Sequence, residues 1–156
     1  MAFARILVDG YSLLHYWGEL APHKPRFSAA AREELIQRLL QYNDATGIPI
    51  TVVFDGSSGG PAREGTPSSS HMEILYSHTG QTADQIIERA AHRLIDYGEV
   101  LVVTDDMAER NTVESAGALS SSCANFVRAI EAARDQFERD LQRYNLLERN
   151  KFLNTP

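Results

Sequence analysis

A single cysteine, Cys123, stands in the 156-residue sequence, so an intramolecular disulfide is excluded. A lone cysteine is typical of a chain from a reducing compartment. Long hydrophobic runs are also missing. The apolar stretch near the start is too short for a signal peptide and is interrupted by Asp9, and no segment approaches the length of a membrane span. These absences predict a cytoplasmic protein that does not enter a membrane.

Positive charge is scarce: 15 lysines and arginines face 21 aspartates and glutamates, which gives a net charge of −6. A nonspecific duplex-DNA binder normally carries a basic surface, so this composition disfavours that class. A metal-dependent nuclease is not excluded, because carboxylate ligands are themselves negative and a bound cation reverses the local sign. Hydrophobic residues make up 43% of the chain, enough for the core of one domain.

Motifs of several rival α/β proteins are absent as well. No G-x-G-x-x-G follows the first predicted strand, and there is no Walker A sequence. Tyr11 stands two residues after Asp9, where a phosphatase with a phosphoaspartate nucleophile would need a second aspartate. A receiver domain would need its paired acids after the first strand, whereas the pair here follows the fourth. Cys123 has no obvious histidine partner in the sequence, which disfavours a cysteine nucleophile.

Short apolar runs alternate with segments of helical periodicity. The runs FARILVD, ITVVFDG, MEILYS, EVLVVTDD and ALSSS predict five strands. Because these runs are nearly all apolar, they are typical of parallel strands that are covered on both faces. The alternation predicts an α/β fold with a central, mainly parallel sheet of about five strands and a long C-terminal helix from about Cys123 to Leu147.

Capping residues predict where the helices begin and end. Ser28 should begin the first long helix, and Gly47 should end it. Two further pairs have the spacing of a capping box, Thr82 with Gln85 and Asp106 with Glu109.

We predict a single domain over residues 1–156, because no internal repeat or domain boundary interrupts the chain. Its core should run from about residue 5 to 137, with the C-terminal helix and tail continuing to 156. The stretch from about 56 to 71 is rich in glycine, proline and serine and has no apolar periodicity. It predicts a flexible, exposed loop inside one α/β unit.

Acidic residues follow the predicted strands. In chain order they are Asp9 after the first strand, Asp55 after the second, Asp84 in the helix turn after the third, and Asp105 and Asp106 after the fourth. Turns, helix caps and helix dipoles explain any one of them alone. Together they should meet at the carboxyl edge of the sheet, where open α/β sheets bind ligands. Gathered carboxylates repel unless a cation compensates, and hard oxygen ligands suit Mg²⁺ or Mn²⁺.

Four segments, ILVDGYSLLH, ITVVFDG, EILYSHTGQTADQIIERAA and VLVVTDDMAER, resemble in order and spacing the YacP-like branch of the NYN domains, within the PIN-like nuclease superfamily. The resemblance runs from about Arg5 to Phe137, and the combination of TGQTAD with VVTDD is its specific part. It implies a Rossmann-like, three-layer PIN-like domain. It also implies a metal-dependent endoribonuclease that hydrolyses RNA phosphodiester bonds with Mg²⁺ or Mn²⁺.

Carried over residue by residue, the resemblance implies four acids that are both catalytic and metal-binding: Asp9, Asp84, Asp105 and Asp106. Ser12 stands where the family commonly has asparagine, and both residues can hydrogen-bond a ligand or water, although their reach differs. The predicted substrate-binding residues are Ser12, Thr82 and Thr104. A cap role for Thr82 is equally open.

The expected partner is messenger RNA or other single-stranded RNA, with the ribosome as a further expected partner. A second class of function stays open, a non-catalytic RNA- or ribosome-binding module that retains the PIN-like fold. The acids argue against it, because a phosphate-binding surface has little use for clustered aspartates without a metal. The arginines of the last helix alternate with acidic residues. This pattern is more typical of a solvent-exposed helix face with salt bridges than of an RNA-binding surface.

Overall fold

Five parallel strands form the centre of the molecule. The computed structural model describes residues 3–56 and 71–153, so most of the predicted loop over 56–71 lies outside the described residues. The strands are β1 Arg5–Asp9, β2 Ile50–Phe54, β3 Met72–Tyr76, β4 Val100–Val103 and β5 Leu119–Ser121. They form one sheet in the order β3-β2-β1-β4-β5, and every neighbouring pair is parallel. The predicted α/β fold is confirmed.

Helices cover the two faces of this sheet. They are α1 Gly10–Tyr16, α2 Ala29–Thr46, α3 Ala83–Leu94, α4 Met107–Ser115 and α5 Cys123–Leu153, with a 3₁₀ turn at Ile95–Tyr97. Along β1, Ile6 and Val8 point into the core shared with α1, α2 and α5, while Leu7 points into the core shared with α3 and α4. The predicted three-layer arrangement follows from this alternation, because a strand side chain points to opposite faces at successive residues.

The predicted helix ends are present at α2 and α3. Ser28 Oγ accepts a hydrogen bond from the Ala31 N–H at 3.2 Å, and Gly47 ends α2 in the left-handed region with φ of 73°. Thr82 and Gln85 form a capping box in both directions, at 3.1 and 3.0 Å. Capping chemistry that lies within four residues is local, so the sequence carries it directly.

The second predicted capping box is only half formed. Asp106 Oδ1 accepts hydrogen bonds from the backbone N–H groups of Ala108 and Glu109, as a helix cap should. The reciprocal bond is missing, because the Asp106 N–H donates to Thr104 Oγ1 at 3.2 Å. The capping-box prediction for Asp106 and Glu109 is therefore corrected: the Glu109 side chain is directed elsewhere.

The final helix α5 extends to Leu153, beyond the predicted end at Leu147. Its buried side chains are confined to its first turns, at Cys123, Phe126, Val127 and Ile130. From residue 131 to residue 153 every side chain is exposed except the partly buried Ala133. Among the helices of the described residues, none has an apolar stretch sufficient to cross a bilayer.

Gly10, the first residue of α1, is packed against the core ring of Phe54. A Cβ at Gly10 would lie 2.5 Å from Phe54 Cδ1 and 3.0 Å from the Val53 carbonyl oxygen. Phe54 is fully buried and packs against Tyr11 and Tyr76, so it has no room to yield. We expect Gly10→Ala to lower the free energy of unfolding by about 1–3 kcal/mol, as overpacking does in other cores.

Denaturant unfolding monitored by circular dichroism checks this expectation. The matched control is Gly18→Ala, whose added Cβ would meet a single atom of the described residues within 4 Å, Arg26 Nη2 at 3.6 Å. A surface substitution of this kind should change the free energy of unfolding by about 0.5 kcal/mol or less. Equal losses in the two variants would contradict the packing argument at Gly10.

Candidate metal centre

Three acidic side chains converge at the carboxyl edge of the sheet. Asp9 ends β1, Asp84 lies in the first turn of α3, and Glu109 lies in the first turn of α4. One carboxylate oxygen from each lies within 4.8 Å of the other two. The edge therefore brings together two of the four predicted acids, with Glu109 as the third member. We refer to Asp9, Asp84 and Glu109 as the acid cluster.

Asp9 is held in place by both of its carboxylate oxygens. It caps α1, with Oδ1 accepting from the Ser12 N–H at 3.3 Å. Oδ2 accepts from the Thr104 hydroxyl at 3.3 Å. Burial raises the pKa of Asp9 to about 6 and the nearby Asp84 carboxylate adds to the increase, although the Ser12 N–H opposes it. Asp9 is thus held in a fixed orientation, and burial makes its ionised form less stable than that of a carboxylate in water.

Glu109 is the most buried member of the acid cluster, with 2% of its surface exposed. Within the described part of the chain, neither of its carboxylate oxygens has a hydrogen-bond partner. Burial raises its pKa to about 9, the nearby side chains of Asp84 and Asp9 add to the increase, and the nearby Thr104 hydroxyl opposes it. A buried, unpaired carboxylate costs free energy unless a proton or a cation compensates it.

The acid cluster passes a simple test of fit to a metal ion. Its donor atoms are all carboxylate oxygens, and the buried oxygens of Glu109 lack other partners among the described residues. Metal ligation satisfies buried carboxylates and removes their mutual repulsion. The arrangement can therefore hold a metal ion.

Asp105 and Asp106, the other two predicted ligands, make backbone hydrogen bonds next to the cluster. Asp105 Oδ1 accepts from the Cys123 N–H at 2.8 Å and so tethers the start of α5. Asp106 caps α4 and thereby places Glu109. Neither belongs to the group of three carboxylates that converge. Their direct ligation of a metal stays a prediction.

The predicted substrate-binding residues also make contacts inside the protein. Ser12 Oγ accepts from the Asp105 N–H at 2.9 Å, which links α1 to the end of β4. Thr104 is fully buried between Asp9 and Asp106. Thr82 forms the capping box of α3, so its alternative cap role is present. Substrate binding by the three residues stays a prediction.

The buried thiol of Cys123 lies beside the same edge, 3.6 Å from Ser12 Oγ. Burial raises its pKa to about 12, and the Asp105 carboxylate adds to the increase. A thiolate is the nucleophilic form of cysteine, so this environment disfavours a cysteine nucleophile, as the sequence indicated.

Glu109 was missed because its spacing from Asp106 matched a capping box. One signal could have identified it. Glu109 occupies the first turn of the helix after β4, the same kind of position that Asp84 occupies after β3. Helices that follow neighbouring parallel strands begin at the same sheet edge, so acids in their first turns are brought close together.

Comparisons with known proteins agree with this architecture. A family model of the YacP-like NYN domain matches residues 6–155. The uncharacterized protein YacP of Bacillus subtilis strain 168 is 30% identical over 139 residues, which cover 88% of this chain and 81% of that protein.

Two crystal structures of Rae1 (YacP) from Bacillus subtilis have the same fold. One matches with a TM-score of 0.78 at 26% identity, covering 98% of this chain and 87% of that chain. The other, a mutant, matches with a TM-score of 0.75 at 29% identity, covering 90% of this chain and 82% of that chain. The chain therefore belongs to the YacP-like NYN domain family, whose fold is of the PIN-like nuclease type.

Proposed function

We propose that this protein is a metal-dependent endoribonuclease that hydrolyses RNA phosphodiester bonds at the acid cluster. The observation that carries the proposal is the convergence of Asp9, Asp84 and Glu109, with Glu109 buried and both its oxygens unpartnered among the described residues. An all-carboxylate donor set suits a hard cation such as Mg²⁺ or Mn²⁺. Membership of a family with a nuclease-type fold supports RNA as the substrate.

In this proposal the acid cluster would hold the cation, which would lower the pKa of a bound water and neutralise charge developing on the scissile phosphate. Asp9 is oriented for this task by the Ser12 N–H and the Thr104 hydroxyl. Glu109 supplies a carboxylate that is shielded from water. In such an environment the electrostatic attraction between a carboxylate and a cation is stronger than it is in water.

We assign Asp105 and Asp106 to positioning. Asp106 fixes the first turn of α4 and hence Glu109, while Asp105 ties the start of α5 to the edge of the sheet. Thr104 links Asp9 to the start of α4. Its hydroxyl donates to Asp9, and its oxygen accepts from the N–H of Asp106, which caps α4. The residues after β4 thus act on the cluster through hydrogen bonds.

Incubation of purified protein with single-stranded RNAs of mixed sequence tests the proposal. We expect cleavage products with Mn²⁺ or Mg²⁺ and none with EDTA. Asp9→Asn should abolish cleavage, because the amide removes one negative ligand; its single oxygen can still accept from the Ser12 N–H and so keep the cap of α1. The matched control, Asp44→Asn, alters an exposed carboxylate of α2 and should cleave like the wild type. If wild type and Asp9→Asn leave the same background, a non-catalytic RNA-binding module is the better description.

A further inference from the structure

We infer that a single strand of RNA reaches the acid cluster along a groove between α3 and the sheet, with its phosphates on Arg89 and Arg93. This inference rests on the proposed function and adds the path of the substrate. The groove encloses about 420 Å³. One wall is the face of β2 and β3 that carries Thr51, Glu73 and Leu75, and the other wall is α3. We refer to this feature as the α3 groove.

The α3 groove exists because α3 packs away from the outer strand. Among the described residues it packs mainly on β1, α4, β2 and β4, and less closely on β3. Side chains of β3 show the asymmetry. Met72 and Ile74 are buried on the opposite face, whereas Glu73 and Leu75 on the groove face are only partly buried. The face of β3 beside α3 is therefore partly exposed and forms one wall of the groove.

Arg89 and Arg93 give this groove its charge. They are four residues apart on α3, so they lie on the same side of the helix, and both are exposed. Within residues 3–56 and 71–153, neither guanidinium makes an ion pair or a hydrogen bond with another residue. Both guanidinium groups are therefore available to a ligand, and phosphate is a preferred ligand of the guanidinium group.

The acid in the groove does not compete for these arginines. Glu73 accepts a hydrogen bond from the Thr51 hydroxyl at 3.0 Å, and Thr51 in turn accepts from Arg5 Nη1 at 3.0 Å. This chain of bonds engages Glu73 on the sheet side of the groove. On the α3 side, the charged residues that line the groove are Arg89 and Arg93, while Glu88 lies beside Arg89 in the neighbouring surface depression.

The α3 groove leads toward the acid cluster. Gln81 lines its upper end, and Asp84 follows in the first turn of the same helix. At the rise of an α-helix, Arg89 lies about 7.5 Å and Arg93 about 14 Å along the axis from Asp84. At about 100° per residue both lie on the opposite side of α3 from Asp84, so the RNA strand would pass over the N-terminal end of the helix to reach the cluster. A strand held on both arginines would continue to the carboxyl edge. Leu75 adds an apolar surface on the wall formed by β2 and β3, against which a base can pack.

RNA binding measured by fluorescence anisotropy tests this path. The probe is a labelled single-stranded RNA of mixed sequence in EDTA, so that binding is read without cleavage. We expect Arg89→Gln with Arg93→Gln to weaken binding at least about tenfold at about 50 mM salt, and the salt dependence of log K to become shallower by about 1.4, or 0.7 per phosphate contact. The matched control is Arg139→Gln with Arg143→Gln, two exposed arginines also one turn apart on α5.

The outcomes separate this inference from the proposed nuclease. Unchanged affinity and salt dependence in the α3 variant overturn the groove, as does equal loss in the α5 control. Competition by polyglutamate as strong as by RNA also overturns it, because the site would then favour acidic protein. Weaker binding in the α3 variant supports the groove even if no RNA is ever cut with Mn²⁺. At RNA concentrations well below Kd, equal cleavage rates in wild type and α3 variant would keep the nuclease and reject the groove.

Discussion

Replacing Glu109 with glutamine is expected to lower the rate of RNA cleavage by about 10³-fold, equivalent to about 4 kcal/mol of lost transition-state stabilisation. The amide has nearly the same size, so packing in the first turn of α4 is kept. What is lost is the ability to give up a proton and present a negative charge to a cation, in the one cluster member whose oxygens are buried without partners among the described residues. Without that charge, the remaining carboxylates bind a divalent cation less tightly and leave more charge on the phosphate uncompensated.

Initial cleavage rates with Mn²⁺ measure this effect, with two other variants beside it. Glu114→Gln makes the same chemical change at an exposed position of α4 and should retain wild-type activity. Asp105→Asn keeps an oxygen that can accept from the Cys123 N–H, so a loss of only about tenfold is expected, as for residues that orient metal ligands. A severe defect in Asp105→Asn together with an active Glu109→Gln would reverse the two roles: Asp105 would then be the metal ligand and Glu109 would not.

The acid cluster should also make the metal-free protein less stable as pH rises. The pKa of Glu109 is raised from 4.5 to about 9 by burial and by the neighbouring carboxylates, and that of Asp9 from 3.8 to about 6. Both groups hold protons more tightly in the folded than in the unfolded state, so folding gains stability from them at low pH. That gain is lost as pH rises from about 4 to 9, first through Asp9 and then through Glu109.

Between pH 6 and 8.5 in EDTA, we expect the free energy of unfolding to fall by about 1–4 kcal/mol, chiefly because folding requires Glu109 to bind a proton that the unfolded chain has already released. Glu109→Gln should remove most of this decline, whereas Glu114→Gln should keep it. Saturating Mn²⁺ should restore stability at the upper end, by about 2.7 kcal/mol at a hundredfold excess over Kd. Thermal and urea unfolding at matched pH check the result. A flat profile in the wild type, or the same slope in both variants, would contradict it.

Local chemistry explains how much of the fold could be predicted. The ends of α2 and α3 depend on caps within a few residues, and the strands depend on contiguous apolar runs, so both are legible in the sequence. Asp9 and Asp84 were placed at one edge by a general property of parallel sheets. Such predictions need no knowledge of how particular helices dock.

The residues after β4 show what the sequence could not specify. Thr104, Asp105 and Asp106 are consecutive, yet their side chains bond to three different elements: β1, α5 and α4. Which of them faces the cluster depends on how the chain leaves the strand. Glu109 depends in the same way on the docking of α4 beside α3. The pattern D-x-x-E fits a cap and a ligand equally well, and only the tertiary structure distinguishes them.

Asp9 is both the last residue of β1 and the cap of α1, so no loop residue separates the strand from the helix. Its backbone and carboxylate are therefore ordered as soon as the domain folds, and the conformational entropy of that ordering is lost during folding and not when a ligand binds. Preorganisation of this kind couples affinity to the integrity of the core. Gly10 packs on Phe54 in the very next position, so a disturbance of that contact reaches the carboxylate through a single peptide bond.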